Sequence, residues 1–296
     1  MSSQLETLTQ INLDDLVSSF GWDKQPLLAS MLRRLFFRPG LIFAQHMVEF
    51  DQNIGRLNLA EAARRLTRKY YVRDVRVHGR ENVPAAGPVL FLSNHPGMAD
   101  TVSLFAAIDR ADLKIIALHR PFLVSLFNTT KHLFFIDDNP TERMRAVRQV
   151  AAHLRNGGAA LTFPAGEIEP DPDVYPGAAV SLNRWTDSAG VFMRFAKDTK
   201  IVPILVSGVI WENTARHWLT HLKRTRTERE RLAAALQLLA MVTRGARPTT
   251  VHVRFAKPIS LDEVGSTESK AIHQVVIDRM RGLIESTPAG EGISAL

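Results

Sequence analysis

Beyond residue 70 the sequence alternates short apolar runs with segments of helical periodicity, and this alternation limits the possible folds more than any other feature. The runs predicted as strands are Tyr71–Val77, Pro88–Ser93, Lys114–Leu118, Leu133–Ile136, Ala159–Phe163, Ile201–Val206 and Val251–Phe255. The helical patterns between them are Met98–Ile108, Thr141–Arg155, Ser188–Asp198 and Glu228–Met241. Such alternation predicts an α/β fold with a mostly parallel central sheet flanked by helices. Ligands of these sheets bind beyond the carboxyl ends of the strands.

Residues 1–70 are predicted to form an N-terminal helical segment, and residues 71–296 the α/β domain. Apolar residues recur at helical spacing over Leu28–Leu35, and Pro39-Gly40 is expected to end that helix. A second apolar stretch, LIFAQHMVEF, follows that break, and a third helix is expected over Leu59–Lys69. The C-terminal tail, STPAGEGISAL, is expected to be frayed.

The composition excludes several chemistries. The 296 residues include 10 histidines and no cysteine, so a disulfide, a thiolate nucleophile and a cysteine-ligated metal are excluded. There is no Walker loop, Rossmann glycine triplet or H-E-x-x-H motif to support nucleotide hydrolysis, dinucleotide redox chemistry or zinc proteolysis. We therefore expect neither a bound cofactor nor a metal.

The charge pattern favours an anionic partner. The net charge is +7, and Thr214–Lys257 carries ten Lys or Arg residues against two Glu. Such a stretch suits an anionic membrane surface or a phosphate-bearing substrate, or is simply a solvated helix face. Nucleic acid is not expected, because no zinc-finger spacing or aromatic binding pattern accompanies the charge. Without a signal sequence or an uninterrupted apolar span, we expect a cytoplasmic protein, either soluble or peripheral at the inner face of a membrane.

The most informative segment is PVLFLSNHPGMAD, residues 88–100. A predicted strand ends at His95, Pro96-Gly97 form a turn, and a helix follows. Asp100 then lies about one turn along the helix, where its carboxylate can accept a hydrogen bond from one ring nitrogen of His95. The other nitrogen is free to take a proton from a hydroxyl. We therefore expect His95 and Asp100 to be the catalytic pair.

Spacing alone is weak evidence, because three other histidines are followed by an aspartate five positions later. These pairs are His46–Asp51, His132–Asp137 and His273–Asp278. Two fall within predicted helices and one along a strand, where the paired side chains do not face each other. Only His95 has the strand–turn–helix setting.

A second predicted strand ends in a turn at LTFPAG, residues 161–166, at the same edge of the sheet. Gly166 would let the backbone approach a substrate or donate its N–H to an anion, although an ordinary strand-to-loop transition explains the turn equally well. The loop that follows carries Glu167, Glu169, Asp171 and Asp173. A hard cation such as calcium is conceivable there, but the loop lacks the spacing of a calcium hand. We expect a solvated acidic loop.

Three segments in order, NHPGMAD, FFIDD and FPAGE, resemble the motifs of the glycerol-3-phosphate and 1-acylglycerol-3-phosphate acyltransferase superfamily, of the HxxxxD type. An apolar strand with a proline, Ile201–Ile204, completes the set, and the resemblance covers about Val77–Val209. It implies transfer of a fatty acyl group from acyl-CoA or acyl carrier protein to a hydroxyl of a glycerolipid-like or other lipid acceptor. His95 would be the general base and Asp100 would orient it, without a covalent acyl-enzyme.

The resemblance also implies which residues surround the substrates. Backbone N–H groups near Pro96-Gly97 would stabilise the tetrahedral oxyanion. The residues expected to bind substrate are Asn94, Pro96, Gly97, Arg120, Lys131, Asp138, Phe163, Pro164, Gly166 and Glu167.

The chain departs from the family pattern at two positions. Asp138 stands where the second motif has an arginine that holds the acceptor's phosphate, and Ala165 stands where the third has a glutamate, with Glu167 two positions later. Because a carboxylate repels a phosphate, we expect a neutral or amine-bearing acceptor. The counter-case is that nearby cations replace the arginine; these are Arg120, Lys131 and Arg143.

The sequence is also compatible with two other functions. A hydrolase would use His95 to activate water on an ester or thioester and would release free acid. A catalytically silent, peripheral lipid-binding protein would bind the acyl donor without turnover.

Overall fold

One eight-stranded sheet organises the residues that the computed structural model describes, which are 3–19, 24–137, 139–288 and 290–296. Its strands are β1 (Asp74–His78), β2 (Val89–Ser93), β3 (Leu113–Leu118), β4 (Leu133–Ile136), β5 (Ala159–Thr162), β6 (Lys200–Ser207), β7 (Thr250–Phe255) and β8 (Ile293–Ser294). They lie in the order β4-β3-β5-β2-β6-β7-β1-β8. The five strands from β4 to β6 are parallel, whereas β7 and β1 run the other way. The predicted mostly parallel α/β fold is confirmed.

Helices precede the sheet and cover both of its faces. They are α1 (Ser3–Ser19), α2 (Pro26–Arg56), α3 (Leu59–Leu66), α4 (Met98–Ile108), α5 (Pro121–Val124), α6 (Pro140–Arg155), α7 (Ala178–Ser181), α8 (Ser188–Phe195), α9 (Glu212–Ala215), α10 (Arg226–Arg244), α11 (Leu261–Val264) and α12 (Ser269–Glu285). A π-helical turn covers Thr67–Tyr71, and 3₁₀ turns cover Arg80–Asn82, Thr129–His132, Leu182–Arg184 and Trp218–Leu222.

The central strands are buried on both faces, which explains their continuous apolar runs. One face packs against α2, α3 and α4, and the other against α6, α8 and α12. Strands β1 and β7 alternate buried and half-buried residues, as expected when only one face is covered.

Helix α2 runs through Pro39 without interruption, so the prediction that Pro39-Gly40 ends the helix is wrong. A proline inside a helix removes one hydrogen bond and costs about 3 kcal/mol. Tertiary packing offsets that cost, because residues of the second half, including Met47, Phe50 and Ile54, are buried in the core shared with α3 and the sheet. The division of the chain at residue 70 stays a prediction.

The C-terminal tail is not frayed over residues 293–296, so the prediction of a frayed tail is wrong for these residues. Strand β8 pairs antiparallel with β1, and the N–H of Ala295 donates to the carbonyl of Val75 at 2.9 Å. Arg64 also donates to the carbonyl of Ala295 at 3.1 Å. Within the described ranges, no helix is long and apolar enough to cross a bilayer.

Candidate active site

The carboxyl ends of the five parallel strands meet at one edge of the sheet, and His95 lies there, two residues beyond β2. Helix α4 begins at Met98, so the chain turns sharply between strand and helix. Nδ1 of His95 lies 2.8 Å from Oδ2 of Asp100, the third residue of α4. The structure thus brings together the two side chains that the sequence paired.

The Asp100 side chain is 0% exposed and is held on both oxygens. Oδ2 also accepts the backbone N–H of Gly97 at 2.9 Å, and Oδ1 accepts the hydroxyl of Thr101 at 2.9 Å. The His95 side chain is 29% exposed, and its Nε2 makes no hydrogen bond to any described residue. The ring packs beside Phe163, with 4.7 Å between ring centroids. One nitrogen is therefore anchored, and the other is open to a ligand.

The surroundings of His95 favour its protonated form. Burial lowers the pKa of the imidazole, but the charge of Asp100, its hydrogen bond to the ring and the charge of Glu169 together raise the pKa above its usual value. The charges of Asp100 and Glu169 stabilise the imidazolium that forms when His95 takes a proton. His95 acts as a base only once the pH is above its raised pKa.

The three other histidine–aspartate spacings form no such pair. Each histidine, or its aspartate, has different partners. His132 Nδ1 contacts the carbonyl of Leu113, Asp278 accepts from Gln274 and Arg281, and Asp51 accepts the N–H groups of Asn128 and Thr129. The strand–turn–helix setting, and not the spacing, distinguishes His95.

The acidic loop after β5 was predicted to be solvated, and this prediction is wrong for two of its residues, because Glu169 and Asp171 are both buried. Oε2 of Glu169 accepts the N–H of His95 at 3.2 Å. Asp171 accepts four backbone N–H groups, those of Asp173, Gly208, Val209 and Ile210. Burial raises the pKa of Asp171 to about 6, although these hydrogen bonds oppose the shift. The described residues hold no group of three or more side chains that could bind a metal ion.

These two acids join the ends of β2, β5 and β6. Asp171 fixes the backbone that follows β6, and a Cβ added to Gly97 would lie 3.3 Å from the side chains of both Val209 and Ile210. The close approach explains the glycine at this turn. This connection was not predictable from the sequence, because the loop is polar and the residues it binds lie far away along the chain.

Several residues predicted to bind substrate make structural contacts within the protein. The amide of Asn94 donates to the carbonyl of Val206 at 2.8 Å and accepts its N–H at 2.7 Å, which fixes Asn94 between β2 and β6. Pro96 and Gly97 are buried. Because the N–H of Gly97 already donates to Asp100, it is not available to an oxyanion, so a donor near this turn must be another N–H group.

The other predicted residues are spread around the edge. Phe163 lies against His95, Pro164 is buried, and Gly166 is exposed with a left-handed φ of 66°. Glu167 pairs with Arg184 at 2.7 Å. Arg120 is exposed after β3, and Lys131, also exposed, donates to Asn128 at 3.0 Å; no described contact joins either cation to His95. Asp138 lies outside the described residues.

The chain is similar to known proteins in a family model and in a solved structure. Residues 74–207 match the protein-family model described as Acyltransferase. The solved structure of the 1-acyl-sn-glycerophosphate (LPA) acyltransferase PlsC from Thermotoga maritima is similar over 95% of this chain and 96% of that chain, with 16% sequence identity and a TM-score of 0.42. No curated protein matches the chain.

Proposed function

We propose that the chain, whose residues 74–207 match the Acyltransferase family model, is a member of the glycerolipid acyltransferase superfamily and transfers a fatty acyl group from a thioester to a hydroxyl of a lipid acceptor. The observation that carries the proposal is the His95–Asp100 pair, with Nδ1 bound at 2.8 Å and Nε2 open at the edge of the sheet. The acyl donor is acyl-CoA or acyl carrier protein, since both present the same thioester.

In the proposed reaction, Nε2 of His95 takes the proton of the acceptor hydroxyl as its oxygen attacks the thioester carbonyl. The tetrahedral intermediate collapses, the C–S bond breaks, and the departing thiolate recovers the proton from the imidazolium. Asp100 holds the proton on Nδ1, which leaves Nε2 basic.

The oxyanion needs donors other than Gly97. The N–H groups of Met98 and Ala99 open α4 and have no acceptor among the described residues. The first N–H groups of a helix are free of intrahelical partners and carry partial positive charge. We assign the oxyanion to this first turn, where one donor is typically worth about 3 kcal/mol.

The acceptor is proposed to be neutral or amine-bearing. The proposal rests on the sequence, where Asp138 replaces the arginine of the family's second motif, and on the pairing of Arg184 with Glu167, which neutralises a cation near the Phe163–Gly166 turn. A phosphate brought into a partly desolvated cleft needs nearby cations or N–H donors.

The protein is further proposed to be cytoplasmic and to act peripherally at an anionic membrane surface. Leu27, Met31 and Leu35 form an exposed stripe along α2, with Leu27 86% exposed. Exposed Trp218 and Leu222 lie within the basic stretch 214–257. Exposed apolar side chains flanked by cations suit the interface of an anionic bilayer.

An acyl-transfer assay with a labelled donor tests the function. Purified protein, labelled acyl-CoA or acyl carrier protein, and a panel of hydroxyl acceptors are expected to yield a new labelled ester. Free labelled acid as the main product would instead indicate a hydrolase. Donor binding without turnover would indicate a silent binding protein.

A further inference from the structure

Glu169 forms hydrogen bonds to both polar groups of the His95 backbone, the N–H and the carbonyl. Its Oε2 accepts the N–H of His95 at 3.2 Å, and its own N–H donates to the carbonyl of His95 at 2.9 Å. The glutamate is 1% exposed. A buried carboxylate is expensive to maintain unless its oxygens are hydrogen-bonded, so its contacts must account for its presence.

The second oxygen of Glu169 is anchored in turn. Oε1 accepts the indole N–H of Trp185 at 2.8 Å and lies 3.0 Å from the hydroxyl of Ser181. Both partners are buried. The carboxylate is therefore held in one position by the last residue of α7 and by Trp185 beyond it, and its bond to the N–H of His95 in turn fixes the residue that carries the base.

We propose that Glu169 is a positioning residue for the acyl transfer proposed above: it fixes the backbone of His95, as Asp100 fixes the ring, and places a second negative charge near the imidazole. A reacting group misplaced by about 1 Å can lose about 100-fold in rate. The charges that act on this pair are Asp100 on α4, which acts on His95, and Arg184, which acts on Glu169.

The first test is Glu169→Gln, which keeps the shape and removes the charge. One amide oxygen cannot serve both His95 and Trp185, so we expect kcat to fall by about 10- to 100-fold with KM changed less than about threefold. Loss of a negative charge lowers the pKa of His95, so the acidic limb of the kcat/KM profile should move to lower pH.

The matched control is Asp171→Asn, a carboxylate of the same loop that is equally buried and binds only backbone N–H groups. It should destabilise the protein but leave the acidic limb in place. NMR titration of the His95 ring in both variants and wild type gives the same comparison without turnover. A wild type that transfers no acyl group would thus count against the proposed function, while the titration still decides the role of Glu169.

Glu169→Asp keeps the charge on a shorter side chain, so the acidic limb should stay at the same pH and kcat should fall. A folded Glu169→Gln protein with wild-type kcat and wild-type His95 titration overturns the proposal. So does an Asp171→Asn protein that shifts the His95 titration equally. If Glu169→Gln does not fold, a Glu169→Asp protein with wild-type kcat overturns it.

Discussion

Asp100 connects the first turn of α4 to the ring of His95. As the third residue of the helix it places negative charge where the helix dipole favours it, and it accepts the N–H of Gly97 from the turn. The same oxygen accepts from Nδ1 of His95. The carboxylate thus fixes both the turn and the tautomer of the His95 ring.

Replacement of His95 by alanine should abolish acyl transfer and leave the fold intact. General base catalysis contributes about 10²- to 10⁴-fold, and a partly exposed side chain at a strand end contributes little packing. Initial rates and thermal unfolding measure the two effects. His273→Ala, with the same spacing to an aspartate but no such pair, should keep its activity. A folded His95→Ala protein at the wild-type rate would falsify the assignment.

Asp100→Asn should slow the reaction by a factor comparable to the loss of the base, because the amide no longer holds the proton on Nδ1. The pKa of His95 should fall as well, since Asp100 is the main influence that raises it. The acidic limb of the kcat/KM profile should therefore lie at a lower pH in the variant than in the wild type. A limb at unchanged pH in the variant would mean that Asp100 does not control the titration.

For the helices and strands, local patterns were predictable from the sequence and contacts between distant segments were not. The β2–turn–α4 unit follows from an apolar run, a Pro-Gly turn and a helical pattern that are adjacent in the chain. The burial of Glu169 and Asp171 depends on backbone groups 74 positions earlier and 38 positions later, so a polar loop looked solvated. Helix α2 passes Pro39 for the same kind of reason: buried packing beyond it outweighs a local break signal.

The energetic cost of Pro39 can be measured. Pro39→Ala restores a helix donor and removes a clash, so we expect the free energy of unfolding to rise by about 1–3 kcal/mol. Pro26→Ala is the matched control, because proline is well tolerated at the first helical turn and the change there should be small. Denaturant titration of both variants gives the comparison. Equal stability of the two would mean that α2 is shaped around its proline.

The net charge of +7 and the two exposed apolar sites favour binding to an anionic bilayer. Attraction is about 1 kcal/mol per well-placed basic residue and weakens with salt. Co-sedimentation should therefore be stronger with anionic than with neutral vesicles, and weaker at high salt. Trp218→Ser should reduce binding more than Val180→Ser, an exposed apolar residue outside the basic stretch. Equal pelleting with both kinds of vesicle would contradict the electrostatic attraction.

The choice of acceptor also depends on the summed charge of the site. At an effective dielectric near 20, two like charges about 4 Å apart repel by roughly 4 kcal/mol, which is close to a thousandfold in binding. With Asp138 in place of an arginine, a neutral or amine-bearing hydroxyl should be preferred to glycerol-3-phosphate, and Asp138→Arg should favour phosphorylated acceptors. Competition between glycerol-3-phosphate, a lysophospholipid and a neutral alcohol, with products identified by mass, measures the preference. Efficient use of glycerol-3-phosphate that is lost when Arg120, Lys131 and Arg143 are replaced would show that these cations outweigh the acid.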